Sequence, residues 1–188
     1  MRKNSLTYGK IALIGIGNIM FYDEGLGAYL VKYIEENFEI PPALKVVEGG
    51  TLGFKLMSYY QEYDKIILVG TGSGDGASGT ILSESAEDIM AKGPVRKTAN
   101  EVEITMMIEI CSFHEDMGEV QLVTMVPEDI IEVKNGLTAT TLEHMPKLVD
   151  AVLDELERSG VHLISKEKQT SFEEIIERYA NPKAPVMA

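Results

Sequence analysis

At 188 residues the chain is long enough to bury a sizeable core and is expected to form one domain. Its 30 acidic residues outnumber 17 basic ones for a net charge of −13, and with no run of Lys or Arg this argues against nucleic acid as a partner. The single cysteine, Cys111, cannot form an intrachain disulfide and fits a reducing, cytoplasmic setting; the apolar run after the basic N-terminus is too short, and too broken by Gly15 and Gly17, for a signal peptide or a membrane span.

The first element is the apolar run at residues 11 to 16, IALIGI, which reads as a strand buried on both faces. It leads into a Gly-x-Gly-Asn turn and then an acidic pair, Asp23-Glu24. Glycines at 15 and 17 permit a sharp turn and the close approach of another molecule, or serve the turn alone. Open α/β sheets place ligands at the carboxyl ends of their strands, so carboxylates here are site candidates, with helix capping as the plain alternative for one of them.

A helix over 24 to 37 follows, with Leu26, Leu30, Tyr33 and Ile34 at helical spacing. Pro41-Pro42 ends it, and LKVVEGG at 44 to 50 is a short strand carrying Glu48 near its end. Thr51 can cap the next helix, in which Leu52, Leu56 and Tyr59 or Tyr60 form the apolar stripe. KIILVG at 65 to 70 is the plainest buried strand and runs into a glycine loop, TGSGDGASGT, that contains Asp75. This βαβαβ order with short connections predicts a mostly parallel twisted sheet with helices on both faces, a single-domain three-layer α/β sandwich.

Residues 80 to 90 suggest an edge strand passing into a polar stretch, and 91 to 100 a loop. Asn100 is the expected N-cap of a helix over 101 to 113 whose inner face carries Val102, Met106 and Ile110, with Cys111 a buried structural thiol. EVQLVTMV at 119 to 126 is a further buried strand, and a long helix over 140 to 158 packs Leu142, Met145, Leu148, Val149, Val152, Leu153 and Leu156 before Gly160 stops it. The division expected is a domain over 1 to 164 and a polar extension over 165 to 188 with a short helix around 172 to 179, read as a solvated appendage with docking to a partner as the alternative.

The strand-Gly-x-Gly-helix opening also begins dinucleotide-binding domains, and Glu48 would stand where such domains hold a ribose. Met20 occupies the place of the third glycine, however, and the carboxylates of Asp23 and Glu24 would repel a pyrophosphate at the helix start. There is no nucleophile elbow and no His-Glu-x-x-His pair. His144 and His162 read as solvated, and His114 as a cation near a helix C-terminus. What remains is Glu24, Glu48 and Asp75, oxygen donors of a kind that could contribute to holding a divalent metal.

The run GIGNIMFYDEGLG resembles the opening motif of the [NiFe]-hydrogenase maturation peptidases, which trim the C-terminal tail of a hydrogenase large subunit once nickel is installed. The likeness continues in order through EGGTLG at 48 to 53, IILVGTGSGDGASGT at 66 to 80 and NGLTATTLEHMPKLVDAVLDELERSG at 135 to 160, and covers about residues 10 to 162. The resemblance implies an endopeptidase acting on a large-subunit precursor, with nickel recognised in the substrate rather than held as a cofactor. It implies Glu24 and Glu48 as the catalytic acids, with Glu24 the first metal-contacting one. At two further metal-contacting positions of the family, an Asp and a His, this chain has Gly70 and Asn100, so the metal-contacting set expected is Glu24, Asn100 and, as a substitute from the glycine loop, Asp75, with His114 a more distant substitute. The alternative reading is a relative that docks such a precursor without cutting it.

Overall fold

A computed structural model describes residues 9–51, 53–91, 99–112 and 117–182, with the side chains of 53, 54, 99–103 and 112 left aside. A five-stranded sheet has the order β3 (Leu44–Gly50), β1 (Ile11–Ile16), β4 (Lys65–Thr71), β6 (Glu119–Met125), β5 (Ile81–Ser85). The first four strands are parallel and β5 is an antiparallel edge. The parallel strands read as unbroken apolar runs because both faces are covered. In β1, Ile11 and Leu13 point to one core while Ala12, Ile14 and Ile16 point to the other, and β4 divides Ile67 and Val69 from Ile66 and Leu68 in the same way.

The first core lies under α1 (Leu26–Asn37), α5 (Ala139–Arg158) and α6 (Phe172–Ala180); the second lies under α2 (Met57–Glu62), α3 (Ala86–Ala91) and α4 (Ala99–Ser112). This is the three-layer sandwich expected. Short 3-10 turns at Tyr22–Gly25 and Gly53–Leu56 precede α1 and α2. At the amino end of the sheet the buried Lys65 ammonium is held by Glu119 and, at 3.1 Å, by the buried Glu155 of α5, so this charge is paired as burial requires. Among the described residues no helix is long and apolar enough to cross a membrane.

Two sequence expectations are corrected. In α4 the buried residues are Ile104, Met107, Ile108 and Cys111, whereas Met106 and Ile110 face solvent; Val102 lies outside the described side chains. The segment ITMMIEIC is apolar nearly all round, so its period does not choose a face. The C-terminal segment, in turn, is not a solvated appendage. Phe172 and Ile175 enter the first core, Phe172 stacks on Tyr33 with ring centroids 4.3 Å apart, and Arg178 pairs with Glu36 at 2.6 Å.

Docking of this segment begins before the helix. Two residues, Phe38–Glu39 (β2), pair antiparallel with Ile164–Ser165 (β7). The fully buried Asn37 accepts from the Thr170 N–H at 2.6 Å and donates to the Thr170 carbonyl at 3.0 Å. Ser171 and Glu174 then form a capping box that starts α6. Replacing the fully buried Ile175 by Ala is expected to cost about 2–5 kcal/mol of folding stability, measured by urea denaturation; a solvated extension would lose nothing.

Candidate functional site

The carboxyl end of β1 is built for backbone contact. A Cβ on Gly15 would collide with the Gly27 carbonyl of α1, and Gly17, at φ +133°, lies so close to the Glu24 carbonyl that no side chain fits. The space beside these glycines is therefore filled by the chain's own helix start and not by a ligand. Gly17 also donates its N–H to the Gly50 carbonyl at 3.0 Å, which ties the turn after β1 to the end of β3.

Asp23 and Glu24, adjacent in sequence, have separate surroundings. Asp23 is fully buried, and its carboxylate accepts from the Thr138 N–H (2.7 Å), the Thr138 hydroxyl (2.9 Å) and the N–H groups of Glu128 and Asp129 (both 3.0 Å). Thr138 in turn caps α5, accepting from the Thr141 N–H. No side chain caps the start of α1, so Asp23 is a clamp between two loops rather than a helix cap. Tyr22, just before it, adopts φ +48°, a left-handed conformation unusual for a bulky residue. It is held there by its N–H to the Lys134 carbonyl (2.9 Å) and by the Lys134 ammonium, 3.2 Å from its hydroxyl and 4.5 Å from the ring centroid.

Glu24 is half-buried, and burial pushes its carboxyl pKa upward. Glu48 stands opposite Gly15 in the β1–β3 register; it is exposed and accepts a 2.6 Å hydrogen bond from the Tyr179 hydroxyl of α6. The two acids thus lie at the carboxyl ends of adjacent parallel strands. Asp75 is exposed in the loop after β4. The backbone of Asn100 belongs to α4, which starts at Ala99, but its side chain lies outside the described residues, as does His114. His144 is half-buried, donating through Nδ1 to the Thr140 carbonyl at 2.8 Å and packing against Gly79, so it is less solvated than expected; His162 is exposed. Among the described residues no three His, Cys, Asp or Glu side chains are grouped to hold a metal ion.

Gly70, where the family's aspartate was expected, is buried in β4, and a Cβ there would lie 2.7 Å from Cγ1 of Ile16. Ile16, itself buried, fills the space that a longer residue would need. Sequence reasoning missed the Asp23 clamp, which needs the distant 128–138 loop, and it missed Tyr179. The signal for the second was legible: Phe172, Ile175, Ile176 and Tyr179 fall at i, i+3, i+4 and i+7.

The hydrogenase maturation protease family model matches residues 28–155. Similar proteins include the hydrogenase 2 maturation protease of Escherichia coli, 26% identical over 160 residues that cover 84% of this chain and 97% of the relative. The coenzyme F420 hydrogenase subunit delta of Methanothermobacter thermautotrophicus is 26% identical over 161 residues, covering 78% and 94% respectively. Among solved structures, the hydrogenase maturating endopeptidase HybD from E. coli superposes with a TM-score of 0.77 at 26% identity, over 84% of this chain and 98% of that one.

Asp23→Asn keeps the shape of the clamp but turns one acceptor into a donor that faces N–H groups, and a loss on the order of 3 kcal/mol is expected in chemical denaturation; a near-neutral result would disprove the clamp. Gly70→Asp is expected to lower stability by roughly 1–3 kcal/mol through overpacking against Ile16, and an unchanged thermal midpoint would show that Ile16 moves aside freely.

Proposed function

The chain belongs to the hydrogenase maturation protease family, and we propose that it is the endopeptidase that removes the C-terminal tail of a nickel-loaded [NiFe]-hydrogenase large-subunit precursor. The observation that carries this reading is the pair Glu24 and Glu48 at the carboxyl ends of β1 and β3, within a fold shared over nearly the whole length of HybD.

Nickel enters this reading as part of the substrate. The donors assigned here are the Glu24 carboxylate, the exposed Asp75 and Asn100, whose side chain lies outside the described residues; such an oxygen set does not suit a resident nickel site. It suits a metal that arrives already ligated and needs one or two oxygen contacts to be recognised. Bound nickel would supply Lewis acidity toward a carbonyl or a water. Glu24 has a carboxyl whose proton is held more tightly than usual, so it is the group assigned to contact the loaded substrate and to move a proton at its Oε atoms. Glu48, near the end of β3, accepts from the Tyr179 hydroxyl at 2.6 Å. The single buried cysteine supports a cytoplasmic setting, where such a precursor would be met before assembly.

Incubation with a nickel-loaded large-subunit precursor, followed by intact mass, tests the reading. The unaltered chain is expected to remove the tail, and Glu24→Gln to lose roughly 100-fold or more in rate; binding without cleavage by the unaltered chain would favour a docking role instead. The same variant carries a pH signature. Because burial raises the folded-state pKa of Glu24, ionising it costs stability at neutral pH, and the cost vanishes as pH falls through the folded value to below the unfolded one, about 4.3. Glu24→Gln is therefore expected to be more heat-stable than the unaltered protein at pH 7, with the difference lost by about pH 4.

A further inference from the structure

The match to the family model ends at residue 155, yet the chain continues into α6, and α6 reaches the candidate site. Near its end, the Tyr179 hydroxyl donates to Glu48 Oε2 at 2.6 Å, the short distance of a charge-assisted bond. Its ring stands edge-on to Tyr29 of α1, with centroids 5.4 Å apart and planes at 76°. Tyr29 is fully buried, and its own hydroxyl accepts from the Gly136 N–H at 3.2 Å, two residues before Thr138, which clamps Asp23 beside Glu24. Burial, and then the bond to Glu48, push the Tyr179 phenol well above its ordinary pKa, so it remains a hydrogen-bond donor throughout the working pH range.

Glu48 is otherwise an exposed carboxylate on an edge strand, free to sample several rotamers. A donor fixed from two sides restricts it: the α6 backbone is held by Ile175 in the core and by the Arg178–Glu36 pair, and the Tyr179 ring is held by Tyr29. We propose that Tyr179 is a positioning residue, holding the Glu48 carboxylate in the orientation that the cleavage reaction uses. This rests on the peptidase reading above. It also assigns a purpose to the C-terminal segment: an acid left free by its own strand is aimed by a helix that follows the matched region.

The test uses the full chain and a nickel-loaded large-subunit precursor, comparing the unaltered protein, Tyr179→Phe and a protein carrying 4-aminophenylalanine at position 179. Phe keeps the ring against Tyr29 and removes only the donor; the amino analogue restores an N–H donor at the same place. Tyr179→Phe is expected to lower kcat roughly tenfold with KM held within about twofold, the scale of losing one hydrogen bond to a charged group that orients a reacting residue, and the amino analogue to recover most of the rate. Equal kcat in all three proteins would overturn the positioning role alone, and faster cleavage by Tyr179→Phe would overturn it by showing that the helix obstructs the site. No cleavage by the unaltered chain would overturn the peptidase reading and the positioning role with it.

Discussion

The Asp23 carboxylate is the interaction on which this end of the molecule depends. A fully buried carboxylate is tolerable only when its charge is met by donors, and here two backbone N–H groups of the 128–129 loop and both donors of Thr138 meet it. One side chain thus joins the turn after β1 to the distant 128–138 segment, which runs from the loop after β6 to the start of α5. Glu24 follows by one residue. Its half-buried position, and the raised pKa that comes with it, are consequences of where Asp23 is anchored.

Close backbone packing sets the second constraint. With Gly15 against Gly27 and Gly17 against the Glu24 carbonyl, α1 lies directly on the strand ends, and Tyr22 is forced into a left-handed conformation to make the turn. Such strain persists only where surrounding contacts over-determine it, and the Lys134 carbonyl and ammonium supply those contacts. The turn that carries Asp23 and Glu24 is therefore held by close backbone packing on one side and by Lys134 on the other.

The carboxyl end of the sheet also shows what this chain does in its own way. Gly70 leaves room that Ile16 has taken, so the end of β4 offers no side-chain donor at that position. The C-terminal segment adds structure beside Glu48: a two-residue strand pair, the buried Asn37 bridge to Thr170 and α6 fold the chain's end back over α1. Glu24 is held through Asp23 and the α5 cap, while Glu48 is held through Tyr179.

The sequence by itself determined the strands read at 11–16, 44–50, 65–70 and 119–126 and a mostly parallel sheet, because a strand covered on both faces must be an unbroken apolar run and short crossovers leave few topologies. It also determined the helices read over 24–37 and 140–158, whose apolar residues recur at one helical period, and it pointed to Glu24 and Glu48 by their place at strand ends. It did not decide which side of α4 is buried, since Ile104 to Cys111 is apolar nearly all round and only the neighbours that pack there select Ile108 over Ile110. The family motif singled out Glu24, but nothing in the sequence showed that Asp23 beside it is a buried clamp, because its donors lie more than a hundred residues away. Where Tyr179 lands was decided by tertiary structure alone: the helical period says that α6 has an apolar face, but contact with Glu48, 131 residues earlier, exists only once that face has docked on α1.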